Sequence, residues 1–148
     1  NRGLDCRFSF FPRSSSSASK WITVHQFEDL ETCIELVRSR YQKIFTTHLA
    51  ADAVDMYSIN FCEPVALVFG NEHSGCSEEI IAKADGNMLI PQVGIIQSLN
   101  ISVACAVTIY EAFRQKRNAG HYSEPRLPND MRSSLEKDWY FFFFFSNC

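Results

Sequence analysis

The chain has 148 residues and a formal net charge of −3 at pH 7, a length that suggests one domain able to bury a core. The charge supplies no global field to draw in nucleic acid, so any RNA contact has to rest on a local basic face. No apolar run approaches the roughly 20 residues a membrane span requires. The cysteines form no CxxC pair and no zinc-like spacing with histidine, so neither membrane insertion nor a metal site is expected. They read as reduced thiols in a reducing compartment, cytoplasmic or organellar rather than secreted.

Residues 1–20 carry Arg2, Arg7, Arg13 and Lys20 against one acid, Asp5, together with the serine run 14–17. That composition fits an organellar transit peptide and equally a disordered leader. The chain begins at Asn1 rather than Met, as a piece of a longer protein would. Residues 21–24 read as a short strand of aromatic and β-branched residues. From 28 to 41 the apolar positions Leu30, Cys33, Ile34, Val37 and Tyr41 make a helical stripe, with Glu31, Glu35 and Arg38 off it. Residues 43–47 form the next predicted strand, and 48–63 read as an irregular connection.

Val65-Ala66-Leu67-Val68-Phe69 is a continuous apolar run ending at Gly70, as expected of a strand covered on both faces in a parallel sheet. After a polar loop, Ser77 is placed to cap a helix whose first turn holds Glu78 and Glu79, and Gly86 is expected to end it. Met88-Leu89-Ile90 reads as a second apolar strand, stopped by Pro91. A glycine-hinged loop follows, and then a segment over 99–116 that is apolar on nearly every side. Such a helix is expected to be buried against its own sheet and against something else, with a dimer partner the economical candidate. Beyond Tyr110 lies the main basic concentration, Arg114, Lys116, Arg117, His121, Arg126 and Arg132, which reads as a solvated helix end or as an RNA contact. The final aromatic run, 139–145, reads as a sticky low-complexity end.

Strand, loop, helix, strand, loop, helix places the polar loops after the strands, where open α/β sheets bind ligands. Gly70 and Gly75 have phosphate-loop spacing, but Cys76 stands where the phosphate-binding lysine belongs, which excludes that chemistry. His73 beside Glu72 is a candidate base pair or simply a solvated neighbour. Ser98 or Asn100 is placed to cap the apolar helix, and Gln97, Ser98 and Asn100 together exceed what a cap needs. The residues alone establish an α/β domain with a ligand site built from two loops.

Those loops resemble a known family. Phe69-Gly70-Asn71-Glu72-His73-Ser74-Gly75 is similar to the second motif of the SpoU/TrmH family of SPOUT methyltransferases. Ile90-Pro91 through Gly94, with Gln97-Ser98-Leu99-Asn100-Ile101-Ser102-Val103-Ala104, is similar to its third. Thr47-His48-Leu49, Ala53-Val54-Asp55 and the stretch from Tyr110 to Arg117 extend the likeness toward the tRNA guanosine-18 2′-O-methyltransferase branch. The likeness spans roughly 19–122, leaving 1–18 as an unmatched leader and 123–148 as a weakly structured tail.

The resemblance implies a parallel α/β SPOUT fold with a C-terminal trefoil knot, an exception to unknotted topology, here lacking the first strand and helix of the domain. It implies S-adenosylmethionine in the knot, held by Phe69, Gly70, Asn71, Leu89, Ile90, Pro91, Gln97, Ser98 and Leu99. It also implies a homodimer through the 99–113 helix, and tRNA as substrate with Arg114, Lys116, Arg117 and His121 on the RNA. Glu72, Ser98 and Asn100 match its acidic and polar active-site positions, where they would orient the catalytic arginine, the cofactor loops or the target ribose. The reaction would be attack of a ribose 2′-hydroxyl on the sulfonium methyl, which needs a proton acceptor and in-line placement. The family assigns that role to a first-motif arginine, and none of Arg2, Arg7 or Arg13 sits in its pattern. The alternatives are therefore a catalytically inactive RNA-binding or dimerisation module of the same fold, or an rRNA 2′-O-methyltransferase.

Overall fold

The computed structural model describes residues 25–71, 74–93, 99–125 and 127–145, with side chains described as far as 137. The leader and the strand expected at 21–24 lie outside the described residues. Helix α1, Leu30–Arg40, starts where Asp29 accepts hydrogen bonds from the Thr32 backbone N–H at 2.8 Å and its hydroxyl at 2.9 Å. Leu30, Cys33, Ile34 and Val37 of the expected stripe are half-buried and Tyr41 is exposed, while Glu31, Glu35 and Arg38 lie on the exposed side.

Four strands follow: β1 Lys43–Thr46, β2 Val54–Asp55, β3 Val65–Val68 and β4 Gly86–Leu89. They pair in the order β2-β4-β1-β3, every pair parallel, as the continuous apolar runs suggest. β2 falls inside the segment expected to be irregular. A two-residue strand has no readable alternation, and its only local mark is Asp55, which accepts from the Tyr57 N–H at 2.8 Å and caps the 3-10 turn Met56–Ser58. Helix α2, Glu78–Lys83, is capped by Ser77 as expected.

Gly86 does not end α2; it opens β4. It lies opposite Phe45, and a Cβ there would stand 3.2 Å from that ring. Asp85 makes the junction. Its backbone N–H donates to the Ile44 carbonyl at 2.8 Å, while its carboxylate accepts from the Ile44 N–H at 2.7 Å and from Arg38 at 2.5 Å. One aspartate thus ties α1, β1 and the start of β4 together.

Side chains alternate across the sheet. One face packs Met56, Ile59, Phe61 and Met88 into a core, with Phe45, Val65, Leu67, Ile90 and Ala112 against it. Met56 and Met88 are essentially inaccessible, and burying each stabilises the fold by roughly 1.5–3 kcal/mol. The opposite face carries buried Ile44 and Thr46. The Thr46 hydroxyl donates to Asn87 Oδ1 at 2.5 Å, so this buried polar atom is partnered across β1 and β4.

Helix α3, Ile101–Asn118, begins at its N-cap Asn100. It is not buried all round in the single chain. Its inaccessible residues are Thr108 and Glu111, whereas Val103, Val107, Ile109, Tyr110 and Phe113 are exposed. The side against the domain is made of small and polar residues, and the large apolar ones point outward. Gln115 fastens that side. Its amide accepts from the Phe61 N–H at 2.9 Å and donates to the Ile59 carbonyl at 3.0 Å and to Glu111 at 2.8 Å.

A further helix, α4 Asn129–Phe145, occupies the segment where a weakly structured tail is expected. Asp130 in its first turn complements the helix dipole, and Arg132 pairs with Glu136 one turn on at 2.7 Å. No described helix is long and apolar enough to cross a membrane. The implied trefoil knot depends on the path of residues 94–98, which lie outside the described residues.

Candidate functional site

The carboxyl ends of β1, β3 and β4 open into a cleft of about 500 Å³, closed on one side by the start of α3. From β1 it takes Thr47, His48 and Leu49. From β3 and its loop it takes Phe69, Gly70, Asn71 and Gly75. Met88, Leu89, Ile90 and Gln92 follow from β4, and Leu99, Asn100, Ile101 and Ala104 from α3. The volume lies within the range of small-molecule sites, and the mix of apolar wall with a few polar groups is typical of them.

The loop after β3 is closed on itself. Asn71 and Gly75 exchange backbone hydrogen bonds at 3.1 and 3.0 Å, and Asn71 Oδ1 accepts from the Ser74 N–H at 2.7 Å. Gly75 makes the reversal with φ of 67°, a left-handed conformation that favours glycine. Gly70 is required for a different reason. A Cβ on it would lie 2.1 Å from the Gly75 carbonyl carbon and 2.3 Å from the Cys76 nitrogen. Cys76, at the position of a phosphate-loop lysine, turns inward and is buried, and that burial pushes its thiol pKa up. It is no phosphate ligand.

The structure brings together Phe69, Gly70, Asn71, Leu89, Ile90, Leu99 and Asn100 among the expected site residues. Pro91 ends β4 but is not part of the cleft lining. Glu72, His73, Gln97 and Ser98 lie outside the described residues. Of the two capping candidates, Asn100 caps α3, its Oδ1 accepting from the Ser102 N–H at 2.9 Å. In the sequence, Thr47, His48 and Leu49 mark only the flank of the family likeness. Their position at the end of the strand predicted over 43–47 is the signal that could place them in the site.

The basic end of α3 is more engaged than its composition suggests. The Arg114 guanidinium grips buried Glu111 with two hydrogen bonds, at 2.7 and 2.8 Å. These hydrogen bonds from Arg114 hold the Glu111 carboxyl below the usual glutamate range. Arg117 lies over the Phe113 ring, 5.6 Å from its centroid, and Phe113 packs on Tyr122. Lys116 makes no ion pair among the described residues. The His121 backbone N–H bonds the Lys116 carbonyl at 2.9 Å, which folds the chain back over the helix end. Beside Arg114 and Arg117, an open groove of about 580 Å³ runs between α3 and the 3-10 turn, lined by Met56, Tyr57, Val107 and Tyr110.

Comparison with known proteins gives consistent results. Residues 4–110 match the SpoU rRNA Methylase family, so the match reaches into the leader that the motifs left uncovered. A tRNA (guanosine(18)-2′-O)-methyltransferase of Thermus thermophilus is 38% identical over 129 residues, which is 87% of this chain and 66% of that protein. The crystal structure of the A. aeolicus TrmH/SpoU tRNA modifying enzyme has a TM-score of 0.72 at 34% identity, covering 82% of this chain and 62% of that one. An AdoMet-bound rRNA methyltransferase from Sinorhizobium meliloti has a TM-score of 0.51 at 35% identity, covering 57% of this chain and 32% of that one. The chain thus spans less than two thirds of the length of each of these relatives.

Proposed function

This chain belongs to the SpoU rRNA methylase family, and from that membership we propose that it carries the cofactor site of an S-adenosylmethionine-dependent tRNA ribose 2′-O-methyltransferase, with guanosine 18 as its target. The observation that carries the reading is the cleft itself. It gathers Phe69, Gly70, Asn71, Leu89, Ile90 and Leu99 at the carboxyl ends of parallel strands, six positions that the family likeness assigns to the cofactor. The lining fits such a ligand. Phe69, Leu89, Ile90 and Leu99 offer an apolar wall for a flat base, and Gly70, which has no room for a side chain, keeps backbone at the surface of the cleft.

S-adenosylmethionine would supply an electrophilic methyl group on its sulfonium. The chain's own residues supply placement. Asn100 fixes the start of α3 and with it the neighbouring Leu99, while the closed 71–75 loop holds the wall from Phe69 to Asn71 in place. Glu72, Ser98 and Asn100 are proposed to orient the proton acceptor, the cofactor loops or the target ribose. The proton acceptor is assigned to no residue of this chain. The proposed assembly is a homodimer through α3, supported by the outward apolar face of that helix.

Calorimetric titration of the purified chain with S-adenosylhomocysteine tests the cofactor site. Binding at about micromolar Kd is expected, with a loss of at least about tenfold in Leu99→Arg. That side chain is already partly exposed, so the substitution fills the cleft without emptying the core. Absence of binding to a folded chain would leave the inactive-module reading in possession.

RNA contact is proposed for Lys116, Arg117 and His121, with Arg114 contributing less because Glu111 already neutralises it. Reversing both charges in Lys116→Glu, Arg117→Glu is expected to weaken tRNA binding and to lower the slope of log K against log[salt] by roughly 1–2. An unchanged slope in a filter-binding series would remove this end of α3 from the RNA surface.

A further inference from the structure

The polar side chains among the described lining residues are Thr47, His48, Asn71, Gln92 and Asn100. Three of them are already committed to the protein. The Thr47 hydroxyl donates to the Val68 carbonyl at 3.2 Å, Asn71 is bonded to Ser74, and Asn100 caps α3. His48 and Gln92 make no hydrogen bond to another described residue. They follow the carboxyl ends of β1 and β4, which are neighbours in the sheet, and both line the cleft. His48 is half-buried and Gln92 exposed, which sets them at the boundary between the apolar wall and water.

A ligand made of a nucleoside and an amino acid has two unlike ends. The apolar wall suits the base, but the α-carboxylate must exchange hydration for donors if it enters the cleft, or lose affinity. Resting on the S-adenosylmethionine reading, we infer that His48 and Gln92 are the specificity-determining residues for the amino-acid end of the ligand, each donating an N–H hydrogen bond to its α-carboxylate.

The test compares S-adenosylhomocysteine with 5′-methylthioadenosine, which keeps the nucleoside and lacks the amino-acid end. Calorimetry on His48→Ala and Gln92→Ala is expected to show a loss of about tenfold for S-adenosylhomocysteine in each, the size of one hydrogen bond to a charged group. Affinity for 5′-methylthioadenosine should stay within about twofold. His48→Gln, which keeps an N–H donor, should recover most of the loss, a rescue that a general loosening of the cleft would not show. Equal losses for both ligands, or no loss for either, would overturn the assignment while leaving the cofactor site standing. If the unsubstituted chain binds neither ligand, the cofactor reading falls and this one with it.

Discussion

Gly70→Ala is expected to abolish S-adenosylhomocysteine binding and to lower Tm by on the order of 10 °C. The added methyl would sit 2.1 Å from the Gly75 carbonyl carbon, 2.3 Å from the Cys76 nitrogen and 2.5 Å from the Gly75 oxygen. All three atoms are backbone, so no rotamer change relieves the clash, and the two chain segments have to separate. Separation breaks the Asn71–Gly75 backbone pair. Overpacking of this kind costs about 1–3 kcal/mol, and each lost backbone hydrogen bond about 1 kcal/mol more. The functional effect exceeds the stability effect because the displaced segment is the cleft wall from Phe69 to Asn71. Gly75→Ala is the matching control. Nothing lies within 4 Å of its added Cβ, so it meets only the strain of φ 67°, about 1–2 kcal/mol, and should retain most of the binding. Thermal denaturation and calorimetry on both variants read the contrast, and equal behaviour of the two would show that close approach at Gly70 does not shape the site.

This loop also shows what the sequence could carry. Glycines at 70 and 75 announce a tight, ligand-facing turn. The parallel sheet follows from apolar runs such as Val65–Val68 that do not alternate. What escaped were features that depend on partners distant in the chain. β2 is two residues long and exists because β4 lies beside it, so no local pattern marks it. Gly86 looks like a helix terminator until Phe45 is found opposite. Arg114 reads as one more cation in a basic run, and only the fold shows Glu111 buried beneath it. The clearest case is α3. Its composition was correctly apolar, but which side of the helix the domain uses is decided by Gln115 reaching the Ile59 and Phe61 backbone, over 50 residues away.

That choice of side leads to the second large effect. Tyr110→Glu is expected to convert a homodimer into a monomer, weakening self-association by at least about 30-fold. With Gln115, Thr108 and Glu111 facing the domain, Val103, Val107, Tyr110 and Phe113 are left on the outside of one helix, a contiguous apolar face of the kind that marks an interaction surface. A second copy is the proposed occupant because such a face is self-complementary across a two-fold axis, where each helix can lay its stripe on the other. Tyr110 is 75% exposed in the single chain. A glutamate there therefore costs the folded monomer little, whereas in a dimer it would be a buried, unpaired charge opposite apolar side chains. Light scattering should give the dimer mass for the unsubstituted chain and the monomer mass for the variant, with Tm measured at dilution unchanged. The consequence reaches the cleft, because Leu99 to Ala104 belong to the same helix end. If the dimer fixes that end, Tyr110→Glu should also weaken S-adenosylhomocysteine binding although residue 110 does not line the cleft. A monomeric unsubstituted chain, or a variant that stays dimeric, would show that α3 meets something other than its own copy.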